Sequence, residues 1–157
     1  MLYLGLKYLH VIGAAVLLGT GAGIAFFMLL AHRTGNALVV AHVARIVVIA
    51  DALFTATAVV VQPVTGGLLA WQLGYSLHDG WIVLSILLYL FTGAFWLPVV
   101  WMQIRMRELA AAAAKSNEAL PPEYYRLFRW WFAFGVPAFG AVMLIFWLMI
   151  AKPSFAL

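Results

Sequence analysis

Apolar residues in this chain run in four long, nearly unbroken stretches, at about residues 2–31, 38–72, 80–106 and 124–151. A helix needs about 20 apolar residues to cross the hydrocarbon core of a bilayer, so each stretch is long enough for one crossing. The pattern predicts an all-α polytopic membrane protein, a four-transmembrane-helix bundle occupying residues 1–157 as a single domain. The second stretch is too long for a straight crossing. Its first turns carry His42 and Arg45, which places them in the interface. The connections are short or polar. Gly35 and Asn36 suit a helix stop, and Pro122 and Glu123 suit the first turn of the last helix. An alanine run at 110–114 lies in the third connection.

Composition agrees with the pattern. Hydrophobic residues make up 67% of the chain and charged residues 9%, with a mean hydropathy of +1.06. A soluble domain carries about 25% charged residues. With no cysteine, disulfide and thiolate chemistry are excluded. The first stretch is too long for the apolar segment of a cleaved signal and reads as a retained helix. Charge placement gives an orientation. Of the nine Lys and Arg residues, Arg33, Arg45, Arg105, Arg107, Lys115, Arg126 and Arg129 flank the first and third connections, and only Lys7 and Lys152 lie on the other side. The positive-inside rule puts those two connections in the cytoplasm and both termini outside. Aromatic residues fit the two edges: Tyr3, Trp71, Tyr75, Trp81 and Trp147 outside, and Trp101, Tyr124, Trp130 and Trp131 inside. The expected partner is the lipid bilayer, and nothing points to nucleic acid.

Helices associate in lipid through close contact of small residues. Ala15, Gly19 and Gly23 form such a ridge on the first helix, which suits packing within the bundle, a homo-oligomer or another subunit. Pro63, Pro98 and Pro137 each interrupt a later helix, and Pro63 leaves the Val59 carbonyl without its helical partner.

Few polar groups sit inside the stretches, and such groups are functional by default. His10 lies about two turns inside the outer edge, with Gly13 and Ala14 beside it. A histidine among small residues can seat a haem, with imidazole on iron and room for the ring. It can equally be a neutral histidine bonded to a backbone carbonyl or to Gln62. Matching depth from the outer edge brings His10 level with Gln62, Thr65, Tyr89 and Met143, and Met143 is a candidate second ligand. Asp51 is the one carboxylate deep in an apolar stretch. The expectation is a structural ion pair with Arg105 or, second, Arg129; a proton relay is the other reading. His32 and His42 flank the first connection without a third metal ligand and read as interfacial.

The segments Leu9-His10-Val11, Gly19-Thr20-Gly21, Ala50-Asp51-Ala52-Leu53-Phe54-Thr55, Gln62-Pro63-Val64-Thr65-Gly66, Trp96-Leu97-Pro98-Val99-Val100-Trp101, Phe134-Gly135-Val136-Pro137-Ala138-Phe139 and Ala151-Lys152-Pro153 together resemble the bacterial domain-of-unknown-function family 2269 of integral membrane proteins. The resemblance covers essentially the whole chain and implies a bacterial inner (plasma) membrane location. More distantly, the Leu9-His10 opening is similar to membrane haem-dependent protoporphyrinogen oxidases, the membrane domain of urate oxidase and the copper-resistance D family. These imply a small helical bundle and, for the oxidases, haem b. Those oxidases also use a lysine on a later helix; the third stretch here has no basic residue before Arg105, so only His10 is carried over as a candidate ligand.

Two functions emerge. One is a membrane redox protein that holds haem b or a quinone-like ligand through His10 in the outer half, exchanging electrons with quinone or a membrane redox partner. The alternative is a non-enzymatic transporter or accessory subunit that packs through the glycine-rich face of the first helix. The residues leave open whether the protein is an enzyme.

Overall fold

The computed structural model describes residues 1–154, and its fold consists of four long helices. These are α1 (Leu2–Arg33), α2 (Ala37–Gln72), α3 (Gly80–Ser116) and α4 (Pro122–Ala151). All four are long and apolar enough to cross a membrane, and no strand occurs among the described residues. Helices α2, α3 and α4 each run through an internal proline, Pro63, Pro98 and Pro137.

The boundaries follow from local chemistry. Gly35 takes a left-handed conformation at φ 62° and turns the chain. Asn36 then caps α2, its side-chain oxygen accepting from the Leu38 and Val39 amides at 2.9 and 3.3 Å. Pro122 opens α4 at a position where no amide is needed. The main departure from expectation is α3, which runs on to Ser116 instead of ending near 106. Alanine has the highest helix propensity, and here the run also packs: Ala110 and Ala113 are buried. At 1.5 Å per residue the 37 residues of α3 span about 55 Å, so its inner end projects beyond the hydrocarbon. It stops at Asn117, left-handed at φ 54°.

Packing is uneven. A large core of buried residues fills the half of the bundle next to the α1–α2 and α3–α4 connections, termed the inner half, from Met28 and Ala31 of α1 and Val40 and Val47 of α2 to Met102 and Met106 of α3 and Tyr124 and Trp131 of α4. The outer half holds only a small buried cluster of Ala70, Trp81, Ile82 and Leu148. Helices α3 and α4 pack along each other, but α2 changes partner midway. Its inner part lies chiefly against α3 with α1 also beside it, its outer part lies against α1, and the outer part has no comparable backbone contact with α3 or α4. The change coincides with a wide turn at Asp51–Thr55, where the Ala56 amide reaches back five residues to the Asp51 carbonyl. One extra residue in a turn rotates the face of everything beyond it, which suits a helix that exchanges neighbours.

The aromatic edges need three corrections. Trp101 and Trp130 are exposed as belt residues should be, but Tyr124 and Trp131 are buried in the inner core and Trp81 in the outer cluster. The Tyr124 hydroxyl meets His32 Nδ1 at 3.3 Å, and the His32 ring stacks on Phe128 with centroids 3.6 Å apart. His32 is therefore part of the packing of α1 against α4.

Candidate functional site

Two polar clusters occupy the bundle. The outer one joins α1 to α2. Gln62 donates from Nε2 to the His10 carbonyl at 2.8 Å, and the His10 ring meets the Thr65 hydroxyl through Nδ1 at 2.8 Å. Two glycines allow this approach. A Cβ at Gly13 would overlap the Gln62 amide, and one at Gly66 would stand 3.1 Å from His10 Cε1. The small neighbours of His10 thus serve contact between α1 and α2.

Proton accounting fixes the His10 tautomer. A threonine hydroxyl has one proton to give. Thr65 directs it to the carbonyl of Val61 at 2.8 Å, with Gln62 O farther away at 3.3 Å. Its lone pairs then accept Nδ1–H from His10, so the neutral ring carries its free lone pair on Nε2. A ring nitrogen oriented by a hydrogen bond on the other nitrogen is the arrangement seen in imidazoles that hold a ligand. The ring is partly exposed, as is Gly66 against it.

The other expected members divide. Tyr89 is at the expected depth, but its hydroxyl donates at 2.7 Å to the Val59 carbonyl, the one that Pro63 deprives of a helical donor. It ties α3 to α2 across the outer gap and does not reach the ring. Met143 is 48% exposed on α4 and is not among the residues of the outer buried cluster or of the His10 hydrogen bonds. Depth fixes position along a helix; which way the side chain faces is independent of it.

The inner cluster surrounds Asp51, which is 5% exposed. The expected ion pair is absent. Arg105 instead engages Glu123 of α4, with Nε 3.0 Å from Oε1, and Glu108 at 3.5 Å. Arg129 is exposed and makes no salt bridge with Asp51. The physical reason is solvation: a long cationic side chain near a helix end reaches toward water, where carboxylates are already available, more cheaply than into hydrocarbon. Neutral donors meet Asp51 instead. Trp96 Nε1 of α3 donates to Oδ1 at 3.4 Å. The Gln103 amide, oriented to satisfy both neighbours, donates to Oδ2 at 3.2 Å and accepts Trp131 Nε1–H at 3.2 Å. Gln103 and Thr55 were not singled out from the sequence. The available signal was a glutamine two residues outward of Arg105 and a threonine one turn after Asp51.

Among the described residues no three His, Cys, Asp or Glu side chains gather as a metal site. The two described clefts lie at the inner end of the bundle, one between residues such as Leu109 and Pro121 and the other between Asn36 and Asn117; neither touches His10 or Asp51. The room for a ring beside His10 that a haem reading expects is not one of them.

Four membrane-crossing helices with two polar clusters inside them define a polytopic α-helical membrane protein. The chain belongs to the family described as predicted integral membrane protein (DUF2269), whose model matches residues 4–153. No curated protein and no solved structure matches the chain, so the more distant likenesses to haem oxidases, urate oxidase and the copper-resistance D family gain no support.

Proposed function

We propose that this integral membrane protein binds a quinone-like lipid-soluble ligand at the outer α1–α2 face, with His10 Nε2 accepting a hydrogen bond from the hydroxyl of its reduced, quinol form. The observation that carries this reading is the orientation of the His10 ring by Thr65, which leaves Nε2 as a basic nitrogen on a partly exposed ring. Such a ligand reaches the ring from the bilayer and needs only that one nitrogen. Haem b is the second occupant of the same nitrogen, as an axial ligand to iron. It fits less well, because a porphyrin needs a slot as well as a ligand. The glycines beside His10 are filled by Gln62 and by the ring itself, and no second ligand stands opposite. In the proposed setting the chain lies in a bacterial inner membrane with both termini outside, and its redox partner is membrane-bound. The ridge of Ala15 and Gly19 favours the alternative of an accessory or self-associating subunit. Both residues are exposed, and nothing stands within 4 Å of a Cβ built at Gly19.

The test is binding of decylubiquinol and, separately, of haemin to the purified protein in nanodiscs. Wild type should bind decylubiquinol, and His10→Ala should weaken binding about tenfold, the worth of one hydrogen bond in a site shielded from water. A Soret band lost in His10→Ala, with no quinol binding, selects haem. A protein that binds neither probe removes the ligand reading and leaves the ridge alternative.

A further inference from the structure

Asp51 is a carboxyl group in hydrocarbon with no countercharge. It lies six residues beyond Arg45, about 9 Å along the axis of α2, and it is buried. None of the charged and titratable groups of the helices around it forms a salt bridge with it. On α1 these are Tyr3, Lys7, Tyr8, His10, His32 and Arg33, and His10 is held by Thr65 and His32 by Tyr124. On α2 itself they are His42, two turns or more inward, and the exposed Arg45. On α3 they are Tyr89, committed to Val59, and Arg105, Arg107, Glu108 and Lys115 at the inner end, where Arg105 and Arg107 pair with glutamates. On α4 they are Glu123, Tyr124, Tyr125, Arg126 and Arg129 at the inner end and Lys152 beyond the outer end, where it meets Tyr75.

The donors that do reach the carboxyl, an indole and an amide, suit its ionised state but can accept nothing from it. A protonated carboxyl adds an O–H that needs an acceptor. One is at hand. Thr55 lies one turn along the same wide turn of α2, is 7% exposed, and its hydroxyl has no hydrogen-bond partner. A buried polar group without a partner is costly and calls for an explanation. A hydroxyl can donate to a carboxylate and accept from a carboxylic acid, so it serves both states where Trp96 and Gln103 serve one.

We propose that Asp51 is a proton-binding site, with Thr55 as the group that accommodates the proton when it arrives. With a single carboxylate and no gathered metal ligands, the proton is the cation that this site fits. The site stands where α2 parts from α3 and continues against α1, and its bonds to Trp96 and Gln103 join α2 to α3 and, through Trp131, to α4. Protonation converts an anion held by donors into a neutral group that donates to Thr55, and so weakens the hold of α3 on α2 at that junction. The inference is independent of whether His10 binds a ligand.

Infrared difference spectroscopy of the protein in nanodiscs, recorded between acid and alkaline pH, tests it. The chain has five carboxyl side chains, two of them aspartates, Asp51 and Asp79. Carbon-13 aspartate labelling of the wild type separates the aspartates from the glutamates without any substitution. The expected result is a protonated-carboxyl band that titrates, shifts on aspartate labelling, disappears in Asp51→Asn, persists in Asp79→Asn and changes frequency in Thr55→Val. Should no titrating aspartate band appear in the wild type, or should it persist in a monodisperse Asp51→Asn protein, the proton site is overturned. A band indifferent to Thr55→Val overturns the role of Thr55.

Discussion

Replacing Tyr89 by phenylalanine removes one oxygen and leaves the ring that packs beside α2. The lost bond, 2.7 Å from hydroxyl to Val59 carbonyl, matters because Pro63 has no amide hydrogen to offer that carbonyl. In lipid no water is present to replace it. Interhelical hydrogen bonds in membranes average about 0.6 kcal/mol with a maximum near 1.7, and an orphaned buried carbonyl costs about 1–3 kcal/mol. A loss of about 1 kcal/mol is expected for Tyr89→Phe. The reasoning is sharper in a second background. Pro63→Ala restores an amide that bonds the Val59 carbonyl within α2, so Tyr89→Phe should there cost only about 0.3 kcal/mol, a coupling of about 0.7 kcal/mol. Equilibrium unfolding in mixed micelles, run on the four proteins of this cycle, measures it. Equal costs of Tyr89→Phe in both backgrounds would show that the hydroxyl does not compensate for the proline.

Two further predictions use the same protein. Gly13→Ala should destabilise, because its methyl would displace the Gln62 amide from the His10 carbonyl; in a Gln62→Ala background the same change should become neutral or stabilising, since only the helix-propensity gain of alanine, up to about 1 kcal/mol, remains. Destabilisation of equal size in both backgrounds would place the clash elsewhere. Phosphatase fusions should be active at Leu157 and silent at Gly35 if both termini face outward, as the asymmetry of basic residues requires, and the reverse pattern would invert the topology.

The fold was legible because lipid imposes it. Backbone groups without water must bond within helices, so long apolar stretches have one structural outcome, and their number follows from the pattern, whereas the end of α3 at Ser116 depends on the alanine run beyond the apolar stretch. Side-chain partners were less legible. For His10, Gln62 and Thr65, depth counting succeeded because α1 and the outer part of α2 are neighbours in sequence, joined by a short connection. For Met143 the same counting gives a depth and no direction, since nothing in the local pattern distinguishes an inward from an outward methionine on a helix that is apolar all round. Asp51 failed for a different reason. The rule that a buried charge seeks an opposite charge ignores the cost to the arginine, which finds Glu123 and Glu108 nearer to water. An indole and an amide ask for no such descent, and they are the groups that reach Asp51.

The unequal halves of the bundle have a consequence for function. The inner half is held by many apolar contacts among buried side chains of all four helices, and dispersion between close-packed groups does not depend on any one of them. The outer half has few buried apolar residues, and its cohesion rests on particular bonds: His10 to Thr65, Gln62 to the His10 carbonyl, Tyr89 to the Val59 carbonyl, and Lys152 to Tyr75. Regions with low density of buried apolar contacts open at lower free energy than the core. An opening that parts α1 and the outer part of α2 from α3 and α4 breaks Tyr89–Val59 and Lys152–Tyr75 while leaving the His10 cluster intact, because that cluster lies within the α1–α2 pair. The hinge for such a motion is the wide turn at Asp51–Thr55, and the bonds that hold the hinge closed on α3 are those made by Asp51. Under the proton site proposed for Asp51, protonation weakens those bonds, and the space that this helps to open adjoins the outer pair that carries His10. With the ligand proposed at His10, proton binding in the core and ligand access in the outer half would then be two ends of one equilibrium, with differential affinity for the open and closed forms as the only requirement for coupling.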